Sequence, residues 1–188
     1  MTNKVLYIVA GANGTGKSTL AYRMLNLKQN LFFINADDIA KQLNSNDIEK
    51  EKITAGKIAI NEMKNNFKNK KSFIWESTLS GNIAKNIIKE AKDNNYEIHL
   101  IYVFVDNPNV CIDRIKIRVS KGGHNVPNED IIRRYYRSVS NFFIYKDIVD
   151  FWELYYNGIS NILVANKFEI IDNILYNNFK EIKCQQKE

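Results

Sequence analysis

The chain has 188 residues, 45% hydrophobic and 26% charged, a composition that excludes a disordered protein and suffices for one domain with a sizeable core. Lysine and arginine outnumber aspartate and glutamate by 27 to 21, a net charge of +6 that suits polyanionic small molecules such as nucleotides; nucleic acid is not expected as a partner. The longest apolar run is too short to cross a membrane, no signal-peptide pattern opens the chain, and Cys111 and Cys184 have no metal-ligand spacing, so a reduced, cytoplasmic protein is expected.

In chain order, "KVLYIVA" predicts a first strand and "KSTLAYRMLNL" an amphipathic helix. Between them stands Gly11-Ala12-Asn13-Gly14-Thr15-Gly16-Lys17-Ser18, followed by Thr19. Glycine, four residues, glycine, lysine and serine is the P-loop pattern, here with a strand entering and a helix leaving. Glycines let the backbone wrap a triphosphate with its N–H groups facing the oxygens, and the helix N-terminus adds positive partial charge. Residues Gly11 to Thr19 therefore predict a nucleotide cradle, with Lys17 on the β- and γ-phosphates and Ser18 as a ligand of Mg²⁺. The expected ligand is a nucleoside triphosphate, ATP or else GTP.

The second strand, "LFFIN", runs into Ala36-Asp37-Asp38 and the helical "DDIAKQL". One aspartate is expected to cap the helix and the other to face the cleft as a proton acceptor; the spacing leaves open which. A long lysine-rich helix follows from about Asp47 to Asn69, its charges read as a solvated face. "SFIWES" is the next strand, and its end offers Glu76, Ser77 and Thr78 to Mg²⁺ or to a polar substrate. After the helix "NIAKNIIKEAKDN" comes the strand "EIHLIYVFV", carrying a structural His99 and ending at Asp106, a candidate metal-side acid.

Arginine occurs only at Arg23, Arg114, Arg118, Arg133, Arg134 and Arg137, and five of these six fall in one stretch of 24 residues. Gly122-Gly123 breaks that stretch into two helices, and Pro127 begins the second. Helix, flexible turn and helix with arginines on both arms predict a lid over residues 114–137, because the guanidinium fork grips phosphate oxygens that lysine meets only as a point charge. "DFWELYYN" is a fifth strand, and the tail after Asn166 reads as a helix of no evident chemistry. The expected fold is α/β: a mainly parallel sheet with helices on both faces, residues 1–188 forming a single P-loop domain with a helical, arginine-bearing lid, its acceptor either water, as in an NTPase, or an organic hydroxyl, as in a kinase.

Taken together, "GANGTGKST", "NADDIA", "AGK", "ESTLSG", "RVSKGGHNVP", "IIRRYYRS" and "FWELYYN", in that order, resemble the zeta-toxin family of P-loop kinases, in its compact members. The resemblance implies transfer of the ATP γ-phosphoryl group to the 3′-hydroxyl of UDP-N-acetylglucosamine, and a cognate antitoxin as partner. By motif position it implies that Asp37 is the catalytic aspartate, that Glu76 and Thr78 hold the acceptor, with Ser77 keeping a hydroxyl between them as a further substrate contact, and that Asp38 is left as a cap. It gives the transition-state role to Arg118 and Arg134 and makes His124 an acceptor or phosphate contact. The sequence departs from the family in "EST", where two threonines are common, in Lys57 of "AGK", where arginine is usual, and in "YYNG", which lacks an acidic residue beside Asn157.

Overall fold

The first strand, β1 (Val5–Ala10), is buried along nearly its whole length, as the centre of a parallel sheet must be. The computed structural model describes residues 4–28, 31–44 and 47–185, without the side chains of residues 48 and 49; the end of the expected tail helix, 186–188, lies outside them. The strand order is β2 (Phe32–Ile34), β3 (Phe73–Ser77), β1, β4 (Glu97–Phe104), β5 (Phe151–Asn157) and β6 (Asn161–Asn166). The first five are parallel, and β6 returns antiparallel to β5.

Register decides what meets at the carboxyl edge. Ala10 pairs with Ser77 on one side and Tyr102 on the other, and Ile34 pairs with Trp75. The residues that follow β1 and β2 and those that end β3 therefore share one end of the sheet.

Alternation along each strand sorts the apolar residues onto two faces. Tyr7, Val9, Ile74 and Ile101 meet α1 (Lys17–Leu27) through Ala21, Leu20, Met24 and Leu25. The larger core, with Leu6, Ile8, Phe73, Leu100 and Phe104, receives α2 (Ala36–Leu43), α3 (Ile48–Lys68), α4 (Ile83–Asp93), α5 (Pro108–Ser120), α6 (Asn128–Tyr145) and α7 (Asn173–Cys184). In α4 the buried residues are Ala84, Ile87, Ile88 and Ala91, the three- and four-residue spacing of one helical stripe. Helices thus cover both faces as expected, though very unequally.

Three expectations change. First, "NILVAN" forms the sixth strand, β6, where the sequence reading placed none. Second, the tail helix is part of the core: Phe179 of α7 is fully buried among Tyr102, Phe104, Phe142 and Phe143. Third, the glycine turn has the geometry of a defined helix stop. Gly122 has φ of 80°, its N–H donates to the Val119 carbonyl at 2.9 Å, and the Gly123 N–H donates to the Arg118 carbonyl at 2.9 Å. This is a Schellman ending, in which a left-handed residue after the helix lets two carbonyls find donors.

The second arm of the predicted lid packs against the core. Ile131, Tyr135, Ser138, Val139, Phe142 and Tyr145 bury one face of α6. Its polar members are satisfied: the Tyr102 hydroxyl donates to Ser138 Oγ at 2.8 Å, and the Tyr135 hydroxyl to the Val105 carbonyl at 2.6 Å. Beyond β6 the chain folds back on the sheet. The Asn166 N–H donates to the Glu169 carbonyl, and those of Ile171 and Asp172 both donate to the carbonyl of Val164.

Candidate active site

From Ala10 the chain crosses to α1 through a loop in which Gly14 and Gly16 have φ of 84° and 94°, conformations open to glycine. Asn13 and Thr15 are buried, while Thr19 is exposed just past Ser18. The Thr15 N–H and hydroxyl both donate to the Ala12 carbonyl, at 3.3 and 3.0 Å. Lys17 is buried; its ammonium donates to the same carbonyl at 3.4 Å and pairs with Glu76 Oε1 at 3.5 Å. The Ser18 hydroxyl donates to that Glu76 oxygen at 2.9 Å.

Glu76 is the hub of the strand ends. Only 8% exposed, it also accepts from Asn35 Nδ2 at 3.0 Å through its other oxygen. Burial pushes its carboxyl above the ordinary range; the Lys17 ammonium and the Ser18 hydrogen bond oppose this, and the charges of Asp37 and Asp38 add to it.

The cap of α2 is neither aspartate. Asn35 takes that place, its Oδ1 accepting from the Asp37 N–H at 2.9 Å, and Asp37 and Asp38 fill the first turn, where negative charge meets the helix dipole. Asp38 accepts instead from the Tyr22 hydroxyl at 2.7 Å, a bond that, with burial, pushes the phenol pKa up to about 12. Asp37 is exposed and lines the cleft.

That cleft has a volume of about 380 Å³ and gathers Lys17, Asp37, Glu76, Ser77, Thr78 and Arg134. Ser77 Oγ accepts from the Leu79 N–H at 3.1 Å, and Thr78 Oγ1 lies 2.9 Å from Ser80 Oγ. One wall escaped the sequence reading: Lys52, Gly56, Ala59, Ile60 and Met63 of α3, with Trp75 of β3. Its signal was present as a helical stripe of small and apolar residues that breaks the lysine-rich face.

The arginines divide by task. Arg134 enters the cleft, donating to Asn13 Oδ1 and to Asp130 Oδ2, each at 3.3 Å. Arg118 and His124 are not among the cleft-lining residues: Arg118 Nη2 donates to the His124 carbonyl at 2.6 Å, and its buried Nε has no hydrogen-bond partner. Arg114 binds three carbonyls, those of Gly14 at 3.4 Å, Asn157 at 2.8 Å and Gly158 at 3.0 Å. Arg133 pairs with Asp130 at 2.6 Å, and Arg137 is exposed. Of the arginines on the two arms, Arg134 is the one that lines the cleft.

Asp106 is likewise absent from the cleft lining; it accepts from the Tyr156 hydroxyl at 2.7 Å. His99 is held by Glu97, packs between Tyr7 and Phe151, and lines a separate cavity of about 210 Å³. Burial pushes the Cys111 thiol up to about 12, so it stays protonated and inert.

A six-stranded sheet with five parallel strands, a glycine loop running into a helix, and a buried lysine beside a strand-end carboxylate define a P-loop fold. The zeta-toxin family model matches residues 2–151, and the chain belongs to that family. An uncharacterized protein of Haemophilus influenzae is 38% identical over 136 residues, which are 72% of this chain and 94% of that protein. A chain in the structure of the PezAT chromosomal toxin-antitoxin system of Streptococcus pneumoniae superposes with a TM-score of 0.71 at 16% identity, over 97% of this chain and 79% of its own. The AvrRxo1-ORF1:-ORF2 complex with ATP gives 0.75 at 14% identity, over 96% of this chain and 64% of that one. At such identities these two likenesses concern the fold. No helix among the described residues is long and apolar enough to cross a membrane.

Proposed function

We propose that the chain is an ATP-dependent kinase whose acceptor is a hydroxyl of a nucleotide-sugar, the 3′-hydroxyl of UDP-N-acetylglucosamine being the first candidate. The observation that carries this reading is the convergence in one cleft of the loop lysine Lys17, the exposed carboxylate of Asp37 and the guanidinium of Arg134. The acceptor class is that of the family the motifs resemble. A neighbour solved with ATP supports the nucleotide, and one from a toxin-antitoxin system supports a cognate antitoxin as partner. Dependence on ATP fits the cytoplasm.

In this mechanism the loop amides and Lys17 hold the β- and γ-phosphates. Asp37 orients the acceptor hydroxyl and takes its proton as the oxygen–phosphorus bond forms and the bond to the β-phosphate oxygen breaks, releasing ADP. The transition state is loose, so placement and charge matter more than base strength. Arg134 answers that charge from a helix fixed in the core, donating from a planar fork. Arg118 joins only if the 121–127 turn closes over the nucleotide, bringing His124 with it. Glu76, Ser77 and Thr78 border the acceptor side of the cleft.

The residues present fit a magnesium ion. Ser18 Oγ and Glu76 Oε1 are hard oxygen donors 2.9 Å apart. Among the described residues no group of three or more His, Cys, Asp or Glu forms a cage, so nucleotide phosphates would complete the shell, as is usual for this ion. When bound, it neutralises charge on the β- and γ-phosphates.

The test is mass spectrometry of UDP-sugars, nucleosides and short oligonucleotides, each incubated with the protein and Mg·ATP beside an Asp37→Ala control. One added phosphoryl group on UDP-N-acetylglucosamine, absent from the control, is the expected result. Phosphate gained only by a nucleoside or an oligonucleotide end would replace the acceptor class, and ATP binding with no product would remove the kinase reading.

A further inference from the structure

We propose that Asn157 and Arg114 are positioning residues of the phosphate loop, holding it from the side of the β5–β6 turn; the proposal rests on the reading of that loop as the ATP site. Asn157 Nδ2 donates to the Thr15 carbonyl at 2.8 Å. A trans peptide is planar, with its carbonyl and the following N–H pointing in opposite directions. Fixing the Thr15 oxygen against Asn157 therefore turns the Gly16 N–H away from the β5–β6 turn. The approach is close: a Cβ on Gly16 would lie 2.2 Å from Asn157 Nδ2.

Arg114 ties the same two segments from α5. One of its nitrogens takes the carbonyls of Asn157 and Gly158, and the other takes Gly14. A rigid fork can reach three acceptors on two backbones at once, which a lysine ammonium cannot do in fixed geometry. Neither residue lines the cleft. Asn157 also lies beyond residues 2–151, the part matched by the family model. The "YYN" motif thus serves the opposite end of the chain, across 142 residues. A loop ordered before the nucleotide arrives loses less entropy on binding it, so the expected effect falls on phosphate affinity.

The experiment uses the full chain and three variants. Asn157→Asp keeps the volume but cannot donate, Asn157→Ala removes the group, and Arg114→Lys keeps the charge but loses the fork. Calorimetry with Mg·ATP and with adenosine is paired with amide hydrogen exchange of residues 11–18 in nucleotide-free protein. Each variant is expected to bind ATP about tenfold more weakly, the equivalent of one lost hydrogen bond, with adenosine unaffected. Exchange should rise in residues 11–18 and stay unchanged in α4. Wild-type exchange in the Asn157→Asp loop overturns the staple whether or not ATP binds. A rise spread through α4 overturns it too, by showing general destabilisation. If the loop loosens as expected but the wild-type chain binds no ATP, the staple survives and its role in nucleotide positioning falls with the ATP reading.

Discussion

Ser18 and Glu76 share a hydrogen bond of 2.9 Å between the start of α1 and the end of β3. The same carboxylate oxygen faces the Lys17 ammonium at 3.5 Å, so two consecutive residues of the phosphate loop converge on one buried acid. Read by motif alone, Glu76 belongs with the acceptor; its neighbours place it equally on the phosphate side. A carboxylate there is well suited to a metal-bound nucleotide and poorly suited to an empty, buried setting. That tension can be measured.

Glu76→Gln separates the two. Folding raises the carboxyl pKa, so it favours the protonated form; this contribution is complete below the unfolded pKa and is lost as pH rises through the folded one. Glutamine imitates the protonated form at every pH. The variant should therefore melt no lower than wild type at pH 7, and its advantage should shrink as acidification protonates the wild-type carboxyl. Phosphoryl transfer should fall by about a hundredfold or more, the scale of one lost electrostatic stabiliser. Thermal melts from pH 7 down to pH 4, beside turnover assays, check both halves.

Asp37→Asn should leave the fold alone and stop the chemistry. The side chain is exposed and the cap of α2 comes from Asn35, so stability should change by no more than about 0.5 kcal/mol. Turnover should drop by about 10²- to 10⁴-fold, the usual contribution of general acid–base catalysis. Near-normal turnover would remove Asp37 from the mechanism.

The two proposed transition-state arginines should fail differently when changed to lysine. Arg134→Lys loses the fork that faces the cleft from a fixed helix, so turnover should fall by about 10²-fold while ATP still binds. Arg118→Lys also breaks the hold on the His124 carbonyl, so amide exchange across residues 121–127 should quicken in this variant and not in the other. Equal exchange in both would separate Arg118 from the turn.

Asn35→Ala removes a helix cap and one donor to a buried carboxylate together. The expected loss is about 1–3 kcal/mol in a denaturant titration, with an unchanged slope. Asn35→Asp keeps a capping oxygen but sets a second acid against Glu76, so it should restore little activity.

Much of this was legible because it was local. The glycine loop, five strands and the stripe of α4 each announce themselves within a few residues. Asn35 was missed because asparagine and aspartate cap helices about equally well, so the pattern of "NADD" could not say which residue did so. β6 was missed because "NILVAN" is set by its antiparallel pairing with β5, which no local pattern shows. Arg114 and Asn157 were beyond local pattern altogether: their partners lie 100 and 142 residues away in the chain. The arginine cluster was visible, but its division into a staple, a turn clasp and a cleft residue arises only from packing.

The fold-back of residues 169–172 has a consequence for how copies of the chain meet. An open sheet margin offers unpaired N–H and C=O groups to any extended segment that drifts by, the usual beginning of edge-to-edge growth. At β6 the carbonyl of Val164 is already taken twice, and the Asn166 amide is bonded to Glu169. At the opposite margin β2 contributes only three residues. An incoming strand finds a short purchase on either side, so crowded molecules should resist zipping into ribbons even where Ile162 and Phe168 leave apolar surface in the open.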